Sequence, residues 1–169
     1  MRALGIDPGS RVTGWGVVDR IGDEFRAVEW GTVRLRTTAP IASRLATLQA
    51  ACVDLFPRWG PTVVVLERAF VGRNMQSALR LGETRGVILA AAAGAGLAIC
   101  EYTPAEVKLA AVGHGRADKE TVARGVASRL ALDRRPAQDA SDALAIALCH
   151  LQHAPLRAAM ARAVAEPAR

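Results

Sequence analysis

The sequence predicts an α/β fold with a five-stranded mixed sheet flanked by helices. Residues 1–36 read as three consecutive strands joined by short turns, which is typical of an antiparallel meander. Further along, the unbroken apolar run 62–66 lies between two helical patterns, and this is typical of a parallel strand buried in the middle of a sheet. The two observations together indicate antiparallel strands 1-2-3 joined to parallel strands in one sheet.

Length, composition and charge limit the possible functions. The chain has 169 residues, 51% of them apolar, so we expect one domain over residues 1–153 and a flexible C-terminal tail over residues 154–169. Lysine and arginine outnumber aspartate and glutamate by 22 to 16, and the formal charge is +6. This excess favours nucleic acid over a membrane surface as partner, although many basic proteins bind neither. Without a signal peptide or a long apolar run in the sequence, we expect a soluble, cytoplasmic protein with no membrane partner.

The first two strands enclose a carboxylate. Residues 4–18 read as a short apolar strand that ends at Asp7, a turn containing Pro8 and Gly9, and a second strand that returns antiparallel. A carboxylate at the mouth of a strand, followed by glycines that allow close backbone approach, suits a metal or phosphate site. The alternative is an ordinary hairpin turn, in which Asp and Gly are present for turn geometry.

The next elements lead to a second carboxylate. Residues 24–36 alternate apolar and polar, which predicts the third strand, and Pro40 is expected to begin a helix that ends near Pro57. The apolar run 62–66 then ends in Glu67. Because the carboxyl ends of parallel strands share one edge, Asp7 and Glu67 converge if their strands are adjacent and parallel.

Cations follow in two loops. Arg68, Phe70 and Arg73 place an aromatic ring between two arginines, which suits contact with phosphates and bases, although Phe70 could equally be a core residue. A small-residue helix over residues 74–93, a strand over 97–102 and a capping box at Thr103–Glu106 come next. The helix after that box carries Lys108, and the glycine-containing loop behind it delivers Arg116 and Lys119 to the next helix, which starts at Asp118. Such cations are usually only solvated, but near a phosphodiester they would neutralise its charge.

The last clear helix, residues 138–148, carries two more acids. Asp139 and Asp142 are three residues apart and therefore share a helix face, which continues apolar through Ile146 and Cys149. Two acids near a helix N-terminus could simply interact favourably with the helix dipole. A carboxylate that faces a sheet edge, however, requires a cation.

The three cysteines are predicted to be buried thiols. Cys52, Cys100 and Cys149 lie far apart in apolar surroundings without a paired spacing. A zinc site built from Cys149, His150 and His153 is an alternative, but it lacks a well-spaced fourth ligand.

Several of these motifs, in this order, resemble the RuvC family of Holliday-junction resolvases. The resemblance rests on the strand followed by Asp-Pro-Gly-Ser, the strand followed by Glu-x-x-Phe, the Val-Lys-x-x-x-Val-Gly-x-Gly segment at 107–115 with Lys119 behind it, and Gln-Asp-Ala-Ser-Asp-Ala-Leu-Ala-Ile-Ala at 138–147. It covers residues 4 to about 150. The tail beyond His153 has no counterpart in the resemblance.

The resemblance implies a ribonuclease-H-like fold and a homodimer that cleaves four-way DNA junctions in recombination and repair, with the branch-migration proteins RuvA and RuvB as partners. It assigns the family's acidic cluster to Asp7, Glu67, Asp139 and Asp142. The junction-contacting aromatic corresponds to Phe70, and the loop lysines correspond to Lys108 and Lys119.

The residue chemistry is consistent with that assignment. Carboxylates brought together repel each other by about 4 kcal/mol per pair at 4 Å for an effective dielectric near 20, so such a site requires cations. All-oxygen ligands favour Mg²⁺ or Mn²⁺, and two such ions per site suit phosphodiester hydrolysis that leaves a 5′ phosphate and a 3′ hydroxyl. Paired nicks are expected because a twofold dimer presents two such sites. We expect Lys119 to stabilise charge at the reacting phosphate and Arg68, Arg73 and Lys108 to hold the DNA backbone.

Three alternatives are weighed against this interpretation. An actin-like kinase or ATPase also opens with a strand and Asp-x-Gly, but it needs two such domains and a longer chain. A non-catalytic DNA-binding protein would leave the four acids unexplained, because they repel phosphates. The nearest alternative is another ribonuclease-H-like nuclease with a different nucleic-acid substrate.

Overall fold

The computed structural model describes the backbone of residues 1–68 and 75–165 and side chains up to residue 155. Phe70 and Arg73 therefore lie outside the described residues. The elements in chain order are β1 (Arg2–Asp7), β2 (Val12–Ile21), β3 (Glu24–Arg34), α1 (Ile41–Trp59), β4 (Val63–Glu67), α2 (Met75–Gly94), β5 (Ala98–Tyr102), α3 (Pro104–Val112), α4 (Lys119–Arg129) and α5 (Gln138–Ala165).

The five strands form one mixed sheet in the order β3-β2-β1-β4-β5. β1 pairs antiparallel with β2, and β2 pairs antiparallel with β3. β4 pairs parallel with β1 on one side and parallel with β5 on the other. The predicted meander followed by parallel strands is therefore confirmed, and β1 and β4 are adjacent at the centre of the sheet.

Helices cover both faces of the sheet, and strand alternation assigns the side chains to them. Val63 and Val65 of β4 belong to the core cluster that contains residues of α3, α4 and α5. Val64 and Leu66 belong to the cluster on the opposite face, with residues of α1 and α2. Because successive strand residues alternate between faces, the next residue, Glu67, is on the face that α5 covers.

The helix boundaries follow the sequence signals with small shifts. The capping box at Thr103 and Glu106 is present, with Pro104 in the first turn of α3, as predicted. Pro40 is the N-cap of α1 rather than its first residue, and Pro57 lies inside the last turn. Proline lacks only an N–H and fixes φ, so the start of α1 tolerates it at either position.

The C-terminal helix is longer than the sequence pattern predicts. α5 continues past His153 and through Pro155 to Ala165, so helical backbone extends into the stretch that was expected to be a tail. The flexibility of residues 154–169 and the boundary at residue 153 stay predictions. None of the helices in the described ranges combines the length and apolar character that a membrane span requires.

Candidate active site

Two carboxylates lie side by side at the carboxyl edge of the sheet. Asp7 is the last residue of β1 and Glu67 is the last residue of β4. The parallel ladder between these strands ends with Ile6 opposite Leu66, so the two acids stand one position beyond its last pair. The predicted convergence of Asp7 and Glu67 follows directly from this register.

Glycines bring the third carboxylate to the same edge. α5 lies so close to β1 and β2 that a Cβ atom on Gly5 would be 2.0 Å from the carbonyl oxygen of Ala143. A Cβ atom on Gly14 would be 1.9 Å from the carbonyl oxygen of Asp139. Any larger residue at these positions would therefore push the helix away from the sheet. Glycine on these strands makes room for α5, and α5 carries Asp142.

A cavity of about 290 Å³ connects these elements. It is lined by three carboxylates, two lysines and apolar residues of α3, α4 and α5, namely Asp7, Glu67, Pro104, Val107, Lys108, Lys119, Val122, Asp142 and Ala145. Lys108 and Lys119, which the sequence placed on two separate helices, thus meet the acids at one site. Asp139 is not part of the lining, although it shares the first turn of α5 with Asp142.

The neighbouring carboxylates raise the affinity of Asp7 for a proton. Burial and three neighbouring acids raise the pKa of Asp7 to about 7. Burial is the largest cause, followed by the charges of Asp142, Glu67 and Asp139 in that order. Lys119 partly opposes the rise. Asp139 is therefore close enough to act on Asp7 electrostatically, even though it lies outside the cavity wall.

Glu67 has the same kind of environment with more positive charge around it. Burial raises the pKa of Glu67, and the charge of Asp142 adds to this effect. Lys119, Lys108 and Arg85 act in the opposite direction. Raised carboxyl pKa values in a cleft mark a place where negative charge is concentrated without full compensation, and such places are often functional.

Asp142 has two polar partners in the structure. Gln138 Nε2 donates a hydrogen bond to its Oδ1 over 3.0 Å, and Lys119 Nζ lies 3.5 Å from its Oδ2. Gln138 is one turn earlier on α5, so it can fix the rotamer of Asp142 from the same helix. The sequence motif contains Gln138, but its charge-neutral side chain gave no signal for this role.

Oxygen donors at this edge fit a divalent cation by their chemistry. Carboxylates are the ligands that Mg²⁺ and Mn²⁺ prefer, and their repulsion is relieved by positive charge. As they stand, no three His, Cys, Asp or Glu side chains within the described ranges form a group that could hold a metal ion. Three carboxylates nevertheless lie around the wall of one cavity, where a cation would relieve their repulsion.

Other predicted DNA contacts lie outside the cavity lining. Arg68 follows Glu67 and is exposed, and its backbone N–H donates to the Tyr102 carbonyl oxygen over 2.6 Å. Arg116 is exposed in the loop between α3 and α4. The structure therefore places Lys108 and Lys119 at the acids and leaves Arg68 and Arg116 on the surface outside that lining.

The cysteines and histidines form packing contacts. Cys52 and Cys149 are buried as predicted, whereas Cys100 is only partly buried. The Tyr102 hydroxyl lies 3.1 Å from His150 Nδ1, and His153 Nδ1 donates to the carbonyl oxygen of Cys149 over 2.8 Å. The alternative of a zinc site at Cys149, His150 and His153 finds no support among the described side chains.

The comparisons with known proteins agree with one another. The model of the family described as crossover junction endodeoxyribonuclease RuvC matches residues 3–150. A protein of that name from Alkalilimnicola ehrlichii is 51% identical over 162 residues, which cover 96% of this chain and 98% of the relative. A second, from Magnetococcus marinus, is 49% identical over 151 residues, or 89% of this chain and 84% of the relative.

A solved structure is similar over the same length. RuvC of Thermus thermophilus, in complex with a Holliday junction substrate, has a TM-score of 0.84 and 32% identity over 92% of this chain and 96% of its own. This similarity confirms the expected ribonuclease-H-like fold. The family match confirms that the protein is an endonuclease acting on DNA, with functions in recombination and repair. The chain belongs to the RuvC family of crossover junction endodeoxyribonucleases.

Proposed function

We propose that this protein resolves four-way DNA junctions by paired, metal-dependent hydrolysis of phosphodiester bonds at Asp7, Glu67 and Asp142. The observation that carries the proposal is the meeting of three carboxylates from β1, β4 and α5 with two lysines in one cavity. The net charge of +6 supports a polyanionic substrate. The similar Thermus protein, which binds a Holliday junction substrate, supports the junction as that polyanion.

Enzymes of this family depend on divalent metal ions, and the donor set agrees with that dependence. We propose two ions of Mg²⁺ or Mn²⁺ per site, with Asp7, Glu67 and Asp142 as ligands and Asp139 as a further ligand or a supporting charge. When bound, such ions activate water and act as Lewis acids toward the phosphate. The protein contributes the fixed carboxylates and the low-dielectric surroundings that raise the pKa of Asp7.

The cations are proposed to act on the DNA rather than on the metal. Lys119 is 77% exposed at its side chain, so it can turn toward a scissile phosphate as negative charge develops there. Lys108, which is half-buried in the cavity lining, would hold a neighbouring phosphate. We propose further backbone contacts for Arg68 and Arg116, and contacts by Phe70 and Arg73 in the segment outside the described residues.

The assembly and partners are proposed from the shape of the substrate and the family resemblance. A homodimer with twofold symmetry would present two equivalent sites to a junction that is itself nearly twofold, and this explains paired nicks. The proposed partners are RuvA and RuvB. We propose that the protein acts in the cytoplasm, since the relatives described above are bacterial and bacterial DNA lies in that compartment.

A cleavage gel with three substrates tests the proposed function. A four-way junction, a linear DNA duplex of the same sequence and an RNA/DNA hybrid are each incubated with the protein in Mg²⁺. We expect symmetric nicks in the junction, with ends that ligase can seal directly because they carry a 5′ phosphate and a 3′ hydroxyl. Cleavage of the hybrid or the linear duplex in preference to the junction would instead support a ribonuclease-H-like nuclease of different specificity.

A further inference from the structure

A buried arginine of α2 contacts the strand end that carries Glu67. Arg85 is only 8% exposed, although it belongs to a helix with many small residues. Its Nη1 donates to the backbone carbonyl oxygen of Glu67, and its Nη2 forms an ion pair with the carboxylate of Glu101 on β5. One guanidinium therefore connects α2 with the ends of two neighbouring strands.

These contacts fix the peptide group that leaves Glu67. The ladder between β1 and β4 ends at Leu66, so the Glu67 carbonyl lies beyond the last described pair with β1. The N–H of the same peptide group, which belongs to Arg68, donates to the Tyr102 carbonyl oxygen over 2.6 Å. Arg85 thus satisfies one polar end of this peptide group and β5 satisfies the other.

We propose that Arg85 is a positioning residue that sets the orientation of Glu67 for metal binding and DNA cleavage. This inference rests on the proposed function. A side chain at the end of a strand follows any rotation of its own backbone, and a carbonyl without a donor is free to rotate toward water. Arg85 prevents that rotation, because its second nitrogen is held by Glu101 and its planar fork has little freedom.

The burial of the Arg85 guanidinium favours a role for this residue beyond stability. The Arg85 side chain keeps only 10% of its surface exposed, whereas that of Glu101 keeps 36%, so the arginine is desolvated for a partner that remains partly hydrated. An apolar residue of similar volume is often as stabilising as such an arginine. A methionine at position 85 would fill the space on α2 without supplying a donor. The cavity lined by Glu67 would then lose the constraint that Arg85 provides and also its positive charge, which acts to lower the pKa of Glu67. Loss of that charge by itself should strengthen cation binding, so weaker Mn²⁺ binding would report the lost constraint.

The opposite end of the sheet offers a matched control. Arg2, at the start of β1, pairs with the Asp19 carboxylate through two hydrogen bonds of 2.8 Å and donates to the Trp59 carbonyl oxygen over 2.7 Å. It therefore bridges a carboxylate and a backbone carbonyl as Arg85 does, but at the end of β1 opposite Asp7. Arg2→Met removes the same kind of structural contact without touching the proposed active site.

The experiment compares Arg85→Met, Arg2→Met and Glu67→Gln in the full chain. For each variant the unfolding midpoint, the junction Kd in EDTA, the Mn²⁺ Kd by calorimetry without DNA, and the single-turnover cleavage rate in Mg²⁺ are measured. We expect both arginine variants to have lower midpoints and a junction Kd within about twofold of wild type, because neither removes a phosphate contact. Only Arg85→Met should weaken Mn²⁺ binding and slow cleavage, by about tenfold to a hundredfold, as is typical when a group that orients a metal ligand is lost.

The outcomes separate this inference from the proposed function. The assays are run at a temperature well below the unfolding midpoints of both arginine variants. If Arg85→Met then binds Mn²⁺ and cleaves the junction as well as Arg2→Met does, the positioning role is overturned. Glu67→Gln that still cleaves normally would overturn the proposed function itself. If Arg85→Met does not fold, Arg85→Lys replaces it, since lysine keeps the charge but cannot hold the Glu67 carbonyl and Glu101 in the same fork geometry. We then expect a loss of about threefold to tenfold relative to Arg2→Lys, and equal rates would overturn the inference.

Discussion

The carboxylates at the two ends of strand β1 have opposite electrostatic environments. At the start of β1, Arg2 pairs with Asp19, and this hydrogen-bonded guanidinium lowers the pKa of Asp19. At the other end, Asp7 lies among Glu67 and Asp142, and its pKa is raised to about 7. The same residue type therefore has a stabilised charge at one end of the strand and a destabilised charge at the other.

The difference indicates that the paired end contributes to stability, whereas repulsion between carboxylates at the other end opposes it. A carboxylate whose charge is satisfied by a partner contributes to folding, whereas carboxylates that repel each other reduce the free energy of unfolding. Proteins keep such unfavourable groups where activity requires them. Arg2 holds the paired end of β1 and β2 to the last residue of α1, whereas the acids at the other end have Lys119, 3.5 Å from Asp142, as a partial counter-charge.

The largest expected difference between the ends is in cleavage. Glu67→Gln should slow junction cleavage by at least about a thousandfold, which corresponds to roughly 4 kcal/mol, because an amide cannot replace a charged metal ligand. Binding of the junction in EDTA should be retained, since it depends on lysine and arginine. Single-turnover rates and a gel-shift titration measure the two effects.

Asp19→Asn is the control for Glu67→Gln at the paired end. It also replaces a carboxylate by an amide, but we expect a normal cleavage rate and a loss of about 1 kcal/mol of stability. Two results would remove the distinction between the two ends. One is a cleavage rate of Glu67→Gln within tenfold of wild type, and the other is loss of cleavage by Asp19→Asn at a temperature well below its unfolding midpoint.

The next largest effect is expected at Asp142, whose two oxygens contact Gln138 and Lys119. Asp142→Asn keeps an acceptor for Gln138 but removes the charge, so we expect at least about a hundredfold slower cleavage and a raised Mg²⁺ requirement. An acid that served only the helix dipole would cost about 1 kcal/mol of stability and leave cleavage unchanged. Rates measured over a Mg²⁺ titration distinguish the two roles.

Junction binding by Asp142→Asn provides a second measurement. Without divalent metal the variant should bind the junction as well as or better than the parent, because a negative charge facing phosphate has been removed. The dependence of Kd on salt should keep its slope, since that slope counts phosphates neutralised by lysine and arginine. Weaker binding, or a variant that cleaves normally at the same Mg²⁺ concentration, would remove Asp142 from the proposed site.

The two ends should also respond oppositely to pH. The pKa of Asp7 is about 7 in the folded protein and near 3.8 ordinarily, so between these values the folded state binds more protons than the unfolded state. In EDTA the stability should therefore fall as pH rises from about 4 to 7, by about 2 kcal/mol, because Asp7 interacts electrostatically with Glu67, whose pKa is also raised, while Lys119 opposes both shifts. Asp19 has a lowered pKa, so its contribution is present above the ordinary value and is lost as pH falls.

Thermal unfolding in EDTA from pH 4 to 8 measures this behaviour. Asp7→Asn should flatten the decline between pH 4 and 7, whereas Asp19→Asn should leave it in place. Addition of Mg²⁺ to the wild type should reduce the decline, because a bound cation stabilises the ionised carboxylates. A wild-type stability that rises from pH 4 to 7 in EDTA would show that the carboxyl edge does not carry the repulsion described above.

The placement of Asp7 and Glu67 at one edge of the sheet could be predicted from the sequence. The strand ahead of Asp7 and the apolar run ahead of Glu67 are local signals, and parallel pairing then places both acids at one edge. The capping box at Thr103 is equally local and begins α3 as predicted. These features depend on neighbours in sequence, which is why patterns reveal them.

Other features depend on contacts between distant segments. The sequence pattern of the small-residue helix contains no signal that Arg85 contacts the Glu67 carbonyl and the Glu101 carboxylate on two strands. The spacing of Asp139 and Asp142 predicts a shared face, yet only Asp142 lines the cavity. Three residues of helix leave the two positions about 60° apart around the axis and about 4.5 Å apart along it, and this is enough to separate them at the cavity wall. The glycines that follow Asp7 suggest close approach to a bound ligand, but one of them, Gly14, makes room for the backbone of α5.

The smallest expected effect concerns the ion pairs at the two ends. Lys119 and Asp142 approach to 3.5 Å, but the lysine side chain is 77% exposed, whereas Arg2 is bidentate to Asp19 and 35% exposed. An exposed pair with one long contact contributes little, so Lys119→Met should change the free energy of unfolding by less than about 0.5 kcal/mol, and Arg2→Met by about 1 kcal/mol.

Urea denaturation at low and high salt checks both values, and salt should reduce the smaller one further. If Lys119 serves the DNA instead of the fold, the nearly unchanged stability of Lys119→Met should be accompanied by cleavage that is slower by about tenfold. The reverse result, a large loss of stability with a normal cleavage rate, would make Lys119 part of the folded framework. In that case the Lys119–Asp142 pair would be a structural ion pair at the carboxyl edge. Both ends of β1 would then contain ion pairs that stabilise the fold, and they would differ only in how much each pair contributes to the free energy of unfolding.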